Sequence, residues 1–135
     1  MIKEQELIKM AIKARKKGVA TLTGFRVGVA LEGRSGKIYT AANFESEICS
    51  LSSCAERNAI GYAITNGEKG FRRIAIVGST SDPCPPCGAC RQFMLEFAPD
   101  VEIIMASMDG KRVVRARPRE LLPSSYRLPK DWKCV

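Results

Sequence analysis

The segment RIAIVGSTSDPCPPCGACRQFMLEFAPDVEIIMA, Arg73–Ala106, decides how the chain is read. It opens on a short apolar run, Arg73–Gly78, of the kind carried by a buried strand. Pro83–Pro86 is rigid loop. A helix fits Gly88–Phe97 and ends at Ala98-Pro99-Asp100, and Val101–Ala106 is a second buried strand. Strand, helix and strand in that order imply parallel strands joined by a right-handed crossover. The helix begins with Cys87-Gly-Ala-Cys90, a Cys-x-x-Cys pair whose spacing turns two sulfurs toward one point.

The flanks extend this pattern. Upstream, Ser52 or Ser53 caps a helix from about Cys54 to Thr65, closed by Asn66-Gly67. Before it, Phe25–Leu31 and Lys37–Asn43 read as two strands of a hairpin, with Glu32-Gly-Arg-Ser-Gly36 as the turn. The chain starts with a helix over Glu4–Lys16, where Leu7, Ile8, Ala11 and Ile12 recur at helical spacing and Gly18 is the stop. Downstream, Met108-Asp109-Gly110 turns the chain into a strand at Val113–Ala116, and Glu120-Leu-Leu makes a short helical turn before Pro123. Helices alternating with apolar strands give an α/β fold, a sheet covered on both faces, in one domain spanning 1–135.

Composition narrows the function. The chain has 135 residues, 45% of them hydrophobic, enough for a core without disulfide staples. No stretch approaches the roughly 20 apolar residues of a membrane span. The first residues, MIKEQELIKMAIKARKKG, lack an apolar signal core, so a cytoplasmic address is expected. The net charge of +8 raises nucleic acid as a partner. However, the basic residues are scattered, and Lys13–Lys17 and Lys111–Arg119 carry no interleaved aromatics for base stacking. We read them as solvated surface, with nucleic acid not expected. There are 6 cysteines (Cys49, Cys54, Cys84, Cys87, Cys90 and Cys134) and no histidine. Imidazole chemistry is therefore excluded, and any transition metal must be held by thiolates.

Cys54 and the Cys87/Cys90 pair each open a helix, where exposed N–H groups favour thiolates. Three thiolates around zinc leave a fourth tetrahedral position for water, as in catalytic zinc sites. Glu56, two residues beyond Cys54, is near the metal without having to ligate it. Zinc deaminases divide the work in this way: the metal activates water and a nearby glutamate moves protons. Their H-x-E…P-C-x-x-C signature is matched here with Cys54 in the histidine's place. Zinc with three thiolates carries a charge of −1, which Arg57 and Arg91 are placed to offset by hydrogen bonds to sulfur. Two plainer readings stand beside this one. Cys54, Cys84, Cys87 and Cys90 would close a structural four-cysteine site, or the thiols would be buried and inert.

The chain resembles the small, homotetrameric zinc-dependent cytidine deaminases. The resemblance rests on Phe25-Arg-Val-Gly28 with Ala30-Leu31, Asn43-Phe-Glu45, Cys54-Ala-Glu-Arg57, Pro86-Cys-Gly-Ala-Cys-Arg-Gln92 and Glu120-Leu-Leu-Pro123. It implies a three-layer α/β/α fold around a five-stranded mixed sheet. It implies one zinc ion per chain at Cys54, Cys87 and Cys90, Glu56 as proton shuttle, and Cys84 as a bystander. Asn43 and Glu45 would meet the sugar hydroxyls, Ala55 and Phe25 the base, and Tyr126 would close a neighbouring subunit's site. The implied activity is hydrolytic deamination of cytidine or deoxycytidine to the uracil nucleoside by zinc-activated water, a step of pyrimidine salvage.

The departures from the family are local. Glu47 and Cys49 stand where relatives carry a small residue and then a tyrosine, and Val19-Ala-Thr-Leu-Thr23 replaces a Tyr-x-Pro-Tyr-Ser stretch. They keep a modified cytosine nucleoside, or an antibiotic of the blasticidin type, as an alternative substrate. A zinc-containing nucleic-acid-binding module is the alternative of another class, supported mainly by charge.

Overall fold

The computed structural model describes residues 1–130. Cys134 therefore lies outside the described residues, as does the end of the domain read over 1–135. The elements, in chain order, are α1 (Glu4–Arg15), β1 (Gly28–Gly33), β2 (Ile38–Ala42), α2 (Ala55–Thr65), β3 (Phe71–Val77), α3 (Gly88–Phe97), β4 (Glu102–Ala106), β5 (Val113–Ala116) and α4 (Pro118–Leu121). A 3-10 turn at Cys49–Leu51 precedes α2. The sheet order is β2-β1-β3-β4-β5. Only β3 and β4, joined through α3, are parallel neighbours; the other pairs are antiparallel.

The period-2 alternation of strands sorts the core into two layers. Val29, Leu31, Ile74, Ile76, Ile103 and Met105 point to one face and pack with Ala59, Ile60 and Ala63 of α2 and Cys90 and Met94 of α3. Ala30, Ala75, Val77, Ile104 and Ala106 point to the other, against Leu7, Ile8 and Ala11 of α1. The small residues on that second face let α1 lie close. At Gly28 a Cβ would overlap the backbone of Ala11 and Arg15. Each large apolar side chain buried in these layers contributes roughly 1.5–3 kcal/mol.

Two expectations are corrected. The hairpin turn was expected from Glu32, but β1 continues to Gly33. Glu32 is buried and accepts a 2.6 Å hydrogen bond from Arg73 Nε, and Arg73 also donates to the Ile2 carbonyl. A charged residue that composition assigns to a turn is thus held inside the sheet by an ion pair from β3. Conversely, Phe25–Val27 lies outside β1. There the Asn43 side chain replaces the ladder, accepting from Val27 N at 2.8 Å and donating to the Phe25 carbonyl at 2.9 Å.

Candidate active site

Three short segments converge at one end of the sheet. Phe44 bridges Ser53, which fixes the approach to α2, and Asn58 Nδ2 ties the first turn of that helix to the Ala42 carbonyl at 2.9 Å. Cys54 is the N-cap of α2 and Cys87 is the N-cap of α3, where its sulfur accepts from Cys90 N at 3.5 Å. Both helix starts therefore offer a thiol to the same point.

The sulfurs of Cys54, Cys87 and Cys90 all lie within 4.8 Å of one another, and Cys54 and Cys87 are 3.6 Å apart. Tetrahedral zinc–thiolate bonds of about 2.3 Å set neighbouring sulfurs about 3.8 Å apart, so this donor set fits zinc with little adjustment. Cys84 is not part of the cluster. Its buried sulfur sits beside Gly78 and is pushed up to about 11 by burial and by the charge of Glu56. Among the described residues the group is thus three sulfurs, and the closed four-cysteine arrangement is not formed.

Charge around the sulfurs is uneven. Cys54 is lowered to about 5, first by the hydrogen bond from Cys90, then by Cys87 and Arg57. Cys90 is raised, by that same bond to Cys54, by burial and by Glu56. Arg57 Nη2 is 4.0 Å from the Cys54 sulfur, as the charge-offset argument requires. Arg57 Nε is buried without a partner, so one further donor is available beside the site. Arg91 turns elsewhere: its guanidinium donates to the Pro86 and Leu121 carbonyls, at 2.8 and 2.9 Å.

Glu56 is 4% exposed, and its Oε2 lies 3.8 Å from the Cys90 sulfur. Burial, the largest cause, raises its carboxyl from 4.5 to about 7, and the charge of Cys54 adds to this. A carboxyl poised near neutrality beside a metal site is suited to giving and taking protons. Ala55, the first residue of α2, is buried, and its amide is one of those a helix start leaves without an intrahelical partner.

The other expected residues are held by contacts of their own. Glu45 accepts from Leu22 N, Thr23 N and Thr23 Oγ1, and the Thr23 bonds hold its carboxyl below the usual range. With Asn43, it pins residues 22–27 across the mouth of the site. Phe25 is 38% exposed, and its ring edge rests against Gly78, where a Cβ would come within 2.9 Å of both Phe25 and Cys84. Tyr126 is 70% exposed, and its carbonyl accepts from Gln92 Nε2 at 3.1 Å. Glu47 and Cys49 are exposed too. The sequence reading missed Thr23, Gly78 and the actual task of Arg91. Nothing in the spacing of these residues marks them, because each acts through a segment distant in the chain.

The family model for the cytidine and deoxycytidylate deaminase zinc-binding region matches residues 1–107. The chain belongs to this family. Members of the family are hydrolytic deaminases, and zinc is the metal for which the three sulfurs are arranged. Among curated relatives, a cytidine deaminase of Halalkalibacterium halodurans is 38% identical over 90% of this chain and 92% of its own length. A blasticidin-S deaminase of Bacillus cereus is 36% identical over 74% of this chain and 76% of its own. The crystal structure of cytidine deaminase from Burkholderia pseudomallei superposes with a TM-score of 0.88 at 38% identity, covering 93% of this chain and all of that one. Membership of a deaminase family sets aside the reading as a zinc-containing nucleic-acid-binding module.

Proposed function

We propose that this chain deaminates cytidine, deoxycytidine or both to the uracil nucleoside. The observation that carries the reading is a buried carboxyl, Glu56, held beside an open three-thiolate cluster. Zinc bound there makes a water nucleophilic at neutral pH. Glu56 is the group that would take a proton from the attacking water and deliver it to ring nitrogen N3 of the base. It then carries a second proton to the departing amino group, so that ammonia leaves and the C4 carbonyl forms. Arg57 holds the Cys54 thiolate and offsets the excess negative charge.

Asn43 and Glu45 are assigned to the sugar hydroxyls. Both already hold residues 22–27, but an amide and a carboxylate retain lone pairs for a further donor. The Ala55 amide and the open face of Phe25 are assigned to the base. Cys87 is exposed in the single chain, and the apolar side chains of Phe44, Ile48 and Leu51 face solvent. A homotetramer in which Tyr126 of one chain closes the site of another would account for both. No helix among the described residues is long and apolar enough to cross a membrane. Thiols that must stay reduced to hold zinc suit a cytoplasmic enzyme of pyrimidine salvage.

Ultraviolet absorbance of the zinc-loaded protein with cytidine and deoxycytidine in parallel tests the reading. Loss of the cytosine band with either nucleoside is expected. Silence on both, with zinc present at one per chain, would overturn it and move the search to blasticidin and to N4- or C5-substituted cytidines.

A further inference from the structure

Arg91 follows the ligand Cys90 directly, yet its guanidinium faces away from the sulfurs. Nε donates 2.8 Å to the carbonyl of Pro86, the residue before Cys87, and Nη1 donates 2.9 Å to the carbonyl of Leu121, the last residue of α4. Pro86 is buried, and its peptide leads directly into the N-cap that presents the Cys87 sulfur. The next residue, Gln92, donates 3.1 Å to the Tyr126 carbonyl. Consecutive residues of α3 therefore hold the loop carrying one zinc ligand and the segment that follows α4. We propose that Arg91 is a positioning residue that couples the Pro86–Cys87 zinc loop to the C-terminal segment from Leu121 to Tyr126.

The physical argument is one of shape. A guanidinium is a rigid planar fork that donates in two directions at once, whereas a lysine ammonium is a compact point charge. Two carbonyls belonging to segments more than thirty residues apart in sequence are locked to one plane by Arg91. The Pro86 peptide is then fixed relative to α3, and with it the Cys87 sulfur relative to the Cys90 sulfur on the same helix. Groups that orient a ligand without touching the metal commonly change metal affinity 10–100-fold when removed. The coupling also runs the other way: ordering of the zinc loop steadies the anchor of the Leu121–Tyr126 segment. This inference stands on the zinc site and is independent of which nucleoside the enzyme accepts.

The test uses zinc release from the zinc-loaded protein to the colorimetric chelator 4-(2-pyridylazo)resorcinol, together with hydrogen exchange of the amides within 122–126, those of Leu122, Ser124, Ser125 and Tyr126. Arg91→Met and Arg91→Lys should both release zinc at least about tenfold faster than the unmodified chain. In both variants the amides of residues 122–126 should exchange faster. Gln92→Ala, which removes only the Tyr126 tie, should speed exchange near Tyr126 and leave zinc release unchanged. In the unmodified protein, stripping zinc should itself speed exchange at 122–126. Arg91→Lys matching the unmodified chain in zinc release would overturn the proposal, because positive charge beside the thiolates would then be sufficient. Protection of 122–126 that is indifferent to zinc would overturn it too, and that measurement needs no variant to fold.

Discussion

Replacing Glu56 by glutamine should stabilise the metal-free protein at alkaline pH while disabling the enzyme. The carboxyl is 4% exposed and is raised from 4.5 to about 7, chiefly by burial. In the unfolded chain it ionises near 4.5; in the folded chain it holds its proton until about 7. The protonated form therefore favours the fold, and that contribution is fully present below 4.5 and lost as pH rises through 7. At about 1.4 kcal/mol per pH unit, the full cost of ionising it inside the fold is about 3 kcal/mol. Glutamine has no proton to lose. Between pH 5 and pH 8, Glu56→Gln should thus gain roughly 2–3 kcal/mol on the unmodified chain, as the linkage relation requires. Urea unfolding of both proteins at the two pH values, with chelator and reductant present, measures the difference. The cost of fitting an amide into the site is the same at both pH values and cancels. A difference that does not change with pH would refute the reasoning. Loaded with zinc, the variant should lose at least about 10²-fold in rate, the low end for a general acid–base residue.

Three further outcomes are expected. Cys87→Ala should lose bound zinc by metal analysis and lower the melting temperature, whereas Cys84→Ala should keep one zinc per chain; the reverse pattern would relocate the metal site. Arg57→Gln should reduce kcat while zinc content stays at one per chain, and an unchanged rate would remove Arg57 from the charge argument. Gly28→Ala should cost more than the ~1 kcal/mol typical of substitutions, because its Cβ meets the backbone of α1 rather than flexible side-chain ends; a melting temperature equal to that of the unmodified chain would contradict that packing.

Much of this molecule is legible in its sequence. The apolar runs of β3 and β4 and the periodicity of α1 identify those elements because burial on one or two faces imposes a pattern on consecutive residues. The ligand cysteines are legible for a related reason: helix N-caps occur at recognisable places, and two helix starts define one point. Glu32 is not legible, since the partner that allows it to be buried, Arg73, lies 41 residues away. Nor is the late start of β1 at Gly28, set by the Asn43 amide, which mimics a strand partner for Phe25 and Val27. Arg91 shows the limit most clearly. Adjacency to Cys90 suggests a partner for sulfur, and only the path of α4 reveals two carbonyls within its reach.

The position of β3 governs when the metal can be captured. It lies between β1 and β4, and in sequence it lies between Cys54 and Cys87. The 3.6 Å approach of the two sulfurs rests on α2 and α3 being packed on the same face of the sheet. A nascent chain that has emerged only through α2 carries one of the three ligand sulfurs, that of Cys54. All three sulfurs are therefore available to one metal ion only once the chain has been made through the start of α3, after β3.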